Sequence, residues 1–240
     1  MSSKAKTYRR RRVVAIVIIF FIIAGGILWQ ANSAPNPEPT PIVPTIQKDD
    51  SDRSLAVEEL TKLPVKDRAP KTGYKRSEFG SGWASWGKCD SRQRILARDL
   101  TEVKYGDDGC TVLSGVLDDP YTGTRIEFTR GTGTSSAVQI DHVVALSNAW
   151  QTGAQELDAD RRKELANDDL ELIAVEGRAN MQKSDSDAAE WLPPFKPFRC
   201  QYIARQIAVK IKYTLWVTPA EHDAMAGVLQ TCPAQRLPAP

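Results

Sequence analysis

Four consecutive arginines, Arg9 to Arg12, stand directly before a charge-free apolar run covering residues 13–29. As a helix those 17 residues reach about 26 Å, against a bilayer hydrocarbon core of about 30 Å. The apolar core of a signal peptide is shorter, about 7–15 residues, although Ala31-Asn32-Ser33 supplies a small-x-small cleavage pattern. Residues 13–29 are therefore expected to be a single-pass membrane anchor or, if cleaved, a signal peptide. Basic flanks stay in the cytoplasm, so residues 1–12 are the cytoplasmic segment and everything after the run is extracellular, at the cell membrane or secreted. Five prolines between Pro35 and Pro44, with no apolar periodicity, make residues 30–53 an extended linker. What remains to fold is 54–240, with its core expected at about 73–233.

That domain is not a basic one. The net charge is +2, but six of the 32 basic residues lie within residues 1–29 beside no acidic residue, which leaves 26 basic against 30 acidic residues in the rest. Affinity built on many phosphate contacts needs clustered Lys and Arg. A protein that coats nucleic acid is thereby excluded, while local contact by an enzyme with turnover is not. Four cysteines, Cys89, Cys110, Cys200 and Cys232, suit an exported chain. Three pairings are possible, and Cys89–Cys110 with Cys200–Cys232 is favoured because each closes a short local loop. No pair has the C-x-x-C spacing of a structural zinc site.

Periodicity predicts an α+β domain. Residues 54–63 read as a short helix capped by Ser54 and ended by Pro64. Asp90 caps a helix running to 101. Residues 110–117 and 124–129 alternate like two strands joined at a turn, and 137–144 is a third. Helices follow at 146–153 and 158–166, with Asn167 as the stop. A short strand at 170–175, a turn at Glu176-Gly177 and a helix over 180–191 come next. Residues 202–215 form an amphipathic helix. Thr218-Pro219-Ala220-Glu221 then opens the last helix with a capping box.

Only two histidines are present. His142 follows Asp141 at the end of the third strand, where neighbours point to opposite sides. One can then bind a metal while the other faces water; the bland alternative is a core histidine beside a capping aspartate. The later strand, turn and helix would complete a ββα hairpin whose helix start carries Asn180, Lys183 and Asp185. On its own Lys183 reads as an exposed helix lysine, and Arg92 and Arg130 read as surface or ion-paired arginines.

The Asp-His pair with Asn-x-x-Lys, and the stretches CDSRQRILARDL, DPYTGTRIEFTRG, TSSAVQIDHVVALSNAWQTGA and NMQKSDSDAAEWLPP, resemble the His-Asn-His (HNH) endonuclease superfamily. The resemblance is closest to the exported subgroup related to the C-terminal domain of GmrSD-type restriction enzymes, over roughly 74–233. It implies a ββα-metal (His-Me finger) hairpin embedded in a mixed helical domain. It also implies one Mg²⁺ or Mn²⁺ on Asp141 and Asn180, His142 as general base, Lys183 as a point charge for a phosphate oxygen, Arg92 and Arg130 as candidates for substrate phosphate, and a nucleic acid substrate, DNA foremost. A hard cation with oxygen ligands neutralises phosphodiester charge, and an imidazole titrating near ~6.5 accepts a proton from water. The family usually carries an asparagine on the second strand that orients the histidine. Spacing puts Glu171 there, with Asn167 the nearest asparagine. A Glu171 facing His142 would raise the imidazole pKa or join the metal site. The expected activity is a non-specific extracellular endonuclease. The alternatives are a hydrolase of another phosphodiester, or a binding protein that keeps the fold without catalysis. No protein partner is implied.

Overall fold

The computed structural model describes residues 53–239. The expected cytoplasmic segment, the apolar run and the linker up to residue 52 lie outside them. Among the described residues no helix is long and apolar enough to cross a membrane.

The chain begins with helix α1 (Ala56–Leu60) and a 3-10 turn, Arg76–Phe79. Strands β1 (Ser85–Trp86) and β2 (Cys89–Asp90) lead to α2 (Ser91–Asp99), then β3 (Thr101–Tyr105), β4 (Val112–Asp118) and β5 (Arg125–Thr129). After β6 (Val138–His142) come α3 (Leu146–Gln151), α4 (Ala159–Leu165) and β7 (Leu172–Glu176). Helices α5 (Gly177–Lys183), α6 (Arg199–Lys212) and α7 (Pro219–Leu229) complete the domain. Strands β3-β4-β5 form one antiparallel sheet in that order, and β6 pairs antiparallel with β7. The α+β class is as expected.

Elements with local capping signals appear where the sequence put them. Asp90 accepts from the Gln93 amide at 2.8 Å, and Thr218 with Glu221 forms the full capping box of α7. Three expectations need correction. Ser54 caps nothing: α1 starts at Ala56 behind Leu55 with no side-chain cap, and the Ser54 carbonyl accepts from Leu237 instead. The helix expected over 180–191 is α5, which starts earlier because Glu176 is its cap, accepting from the Ala179 amide at 2.6 Å. It stops at Lys183, where Ser184 takes a left-handed φ of 51° that no helix continues through. Strand β3 was not expected, because its residues are mostly exposed on both faces and leave no apolar alternation.

The β6–β7 pair lies between two cores, and alternation along it divides the residues. Val138, Ile140, Leu172 and Ala174 join Ile95, Leu96 and Phe128 on one side. Ile173 and Val175 join Tyr202, Ile207 and Val209 on the other. This second core also contains Ala56, Leu60 and Leu63. The core therefore begins well before the expected residue 73, and it extends past 233, where Leu55 bridges to Arg236. Cys89 pairs with Cys110 and Cys200 with Cys232, the favoured local pairing. The first ties β2 to the start of β4; the second ties α6 to the end of α7.

Candidate active site

Strand β6 ends inside the protein, with Asp141 opposite Ile173 and His142 opposite Leu172. Residues 143–171, which include α3 and α4, separate the two strands, so no tight turn joins them. Helix α5 packs on both strands. Its first residue must be small: a Cβ on Gly177 would lie 2.0 Å from the Ser136 carbonyl oxygen, which only glycine avoids. That close approach brings Asn180 over β6, where its Nδ2 donates to Gln139 Oε1 at 2.9 Å.

Asp141 is buried. Lys183 Nζ donates to its Oδ1 at 3.0 Å and the Tyr121 hydroxyl donates to its Oδ2. Lys183 also donates to the His142 carbonyl at 2.8 Å. The Lys183 side chain is fully buried, so it is neither an exposed helix lysine nor a free point charge in an open cleft. Its ammonium compensates Asp141. Burial raises the Asp141 pKa, while Lys183 and Tyr121 pull it back toward the ionised form. In such a pair, removing one partner strands the other's charge.

His142 points the other way, as neighbours on a strand do. Its ring lies parallel to Trp83, 7° between planes and 5.8 Å between centroids, and its Nε2 is 3.0 Å from the Ala166 carbonyl oxygen. A carbonyl can only accept, so Nε2 carries the proton and Nδ1 keeps its lone pair. Burial, and then the positive charge of Arg76, hold the imidazole pKa down to about 3. The ring is therefore neutral across the ordinary pH range.

Glu171 is not a hydrogen-bond partner of His142, so the condition under which it would raise that pKa is not met. It is fully buried, and its Oε2 accepts from the Val144 amide at 3.2 Å while Oε1 has no partner. Its backbone carbonyl accepts from Val143 at 2.9 Å. Glu171 thus braces the turn that leaves β6, and burial pushes its own carboxyl pKa well up. Asn167 does not touch the imidazole either. Its Oδ1 accepts from the Ala84 amide at 2.7 Å and from Ser91 Oγ at 2.8 Å, so it pins the loop that carries Trp83.

Two cavities meet at His142. One, of about 500 Å³, is lined by Asp141, His142, Asn180, Gln139, Ser147 and Asp185 among others. The other, of about 320 Å³, lies between His142, Trp83 and the Gly80-Ser81-Gly82 loop. Both include Arg76 and Leu146. The structure thus brings Asp141, His142 and Asn180 together and sets Lys183 directly behind Asp141. Arg92 and Arg130 line neither cavity. Arg92 donates to the Val138 carbonyl at 3.2 Å and Arg130 to Gln93 at 3.5 Å. Sequence reasoning missed Tyr121, Gln139 and Arg76. No local pattern marks them, because their roles depend on approach across the fold.

Among the described residues no three His, Cys, Asp or Glu side chains are placed to share a metal ion. A cation in this groove would rest on two protein oxygens, one each from Asp141 and Asn180. That sparse oxygen set suits Mg²⁺, which keeps several waters and completes its shell with substrate phosphate.

GmrSD restriction endonuclease C-terminal domains match residues 90–228, more than half of the chain, and the chain belongs to that family of nuclease-like domains. An "uncharacterized secreted protein" of Arthroderma benhamiae is 37% identical over 198 residues, covering 82% of this chain and 92% of its own. No solved structure matches.

Proposed function

We propose that the protein is a metal-dependent phosphodiester hydrolase of the HNH type, a non-specific DNA endonuclease that works outside the cell. The observation that carries this reading is the convergence of Asp141, His142 and Asn180 on one open groove, within a chain of a nuclease family. In this reading β6, β7 and α5 are the ββα-metal unit, and Asp141 with Asn180 would hold one Mg²⁺ or Mn²⁺. The cation would neutralise phosphate charge and acidify a water. His142 Nδ1 takes the proton from the attacking water. The Ala166 carbonyl fixes the tautomer and Trp83 the ring plane. Lys183 and Tyr121 hold the Asp141 carboxylate in one orientation. An extracellular site of action is supported by the two disulfides and by the secreted relative. Residues 13–29 then serve as membrane anchor or cleaved signal.

Nicking of supercoiled plasmid by the purified, oxidised protein with Mg²⁺ or Mn²⁺ is the test. EDTA should abolish it, and His142→Ala should lower the rate by about 10²–10⁴-fold while the protein stays folded. A folded wild-type protein that cleaves neither DNA nor RNA across metals and pH would defeat this reading.

A further inference from the structure

We propose that Arg76 is the guanidinium that holds a non-bridging oxygen of the scissile phosphate in the transition state. The inference rests on the phosphodiesterase reading and names the residue that would meet the substrate's charge. Arg76 begins the 3-10 turn Arg76–Phe79, and that turn is firmly mounted. Phe79 is buried edge-to-face against Tyr74 at 6.4 Å and Trp150 at 6.3 Å. The Glu78 carbonyl accepts from Arg162 Nε at 2.9 Å, and the Glu78 carboxylate lies 3.5 Å from the same guanidinium. From this strut the exposed Arg76 side chain reaches the place where both cavities meet His142.

The other cations near the groove are already committed. Lys183 is held by Asp141, and Lys71 by Asp185 at 2.9 Å. The acids are committed as well, Asp141 to Lys183 and Tyr121, Asp185 to Lys71 and Ser147. Arg76 alone among these charged groups has no hydrogen bond or ion pair with the described residues. A solvent-facing cation on the wall that both cavities share with His142 is favourable to an incoming anion. Guanidinium matches two phosphate oxygens at once, which an ammonium cannot.

The test compares wild type, Arg76→Ala, Arg76→Lys and His142→Ala on plasmid DNA and on bis(p-nitrophenyl) phosphate, with Mg²⁺ or Mn²⁺. Because Arg76 is exposed and unpaired, the melting temperature of Arg76→Ala should match wild type. Its kcat should fall about 10²–10³-fold with little change in KM, as when a transition-state charge donor is removed. Arg76→Lys should recover part of the loss. Millimolar guanidinium should partly rescue Arg76→Ala but not His142→Ala. Arg76→Ala activity within about threefold of wild type, or a rise in KM alone, would overturn the assignment and leave the nuclease reading standing. Wild type inactive on both substrates would overturn the nuclease reading and this one with it.

Discussion

At the scale of single residues, the site rests on buried polar groups with unequal satisfaction. Asp141 has two side-chain donors, one of them its charge partner Lys183; Glu171 has one donor and one unpartnered oxygen. The Glu171 pKa is raised by burial, so its folded state holds a proton that the unfolded chain gives up. Stability from such a group is present below the unfolded carboxyl pKa and is lost as pH rises through the folded value. Glu171→Gln keeps an oxygen for the Val144 amide and cannot ionise. It should be nearly neutral at pH 4 and stabilising by about 1–3 kcal/mol at pH 8. Thermal melts of both proteins at the two pH values check this. Identical pH dependence for parent and variant would show that Glu171 ionisation plays no part.

At the scale of elements, α5 is the piece whose placement decides the site. It carries Asn180 outward to the groove and Lys183 inward to Asp141. Its approach to the chain at Ser136 depends on Gly177 having no Cβ. Gly177→Ala must move the helix or the Ser136 backbone. The expected cost is about 1–3 kcal/mol, read as a lower urea midpoint. Nicking activity should fall further than the remaining folded fraction explains, because Asn180 moves with the helix. Unchanged midpoint and unchanged activity would refute the close packing. The turn at Ser184, with its left-handed φ, ends α5 directly after Lys183 and lets Asp185 turn to Lys71 and Ser147.

At the scale of the whole molecule, two cores share the β6–β7 pair, so the strand end that carries Asp141 and His142 is braced from both sides. The core containing α6 is completed by the early segment that carries α1, with Leu60 only 2% exposed. That segment lines neither cavity but belongs to the same packed body. Leu60→Ala should therefore cost about 2–5 kcal/mol in denaturant unfolding. A loss below about 0.5 kcal/mol would mean that the segment is peripheral. Two basic residues of α6 are likewise spent inside this body: Lys210 is buried against Glu221 at 3.0 Å, and Arg205 donates to the Leu170 and Leu172 carbonyls.

The amino-acid sequence by itself revealed the α+β class and the caps at Asp90 and Thr218, favoured one disulfide pairing of three, and singled out Asp141, His142 and Asn180 as candidates. Caps and short loops depend on contacts a few residues apart, and a strand end followed by a helix start puts a fixed trio of side chains in order. Tertiary structure alone decided what those side chains touch. Tyr121 reaches Asp141 across 20 positions and Lys183 across 42; Trp83 and Arg76 reach His142 from still farther along the chain. It also decided that Glu171 braces a turn rather than facing the imidazole, and that Lys183 is buried. The reason is that such contacts follow from how the two cores close around the β6–β7 pair. Periodicity reports whether a residue turns inward, and gives no account of which distant residue will meet it there.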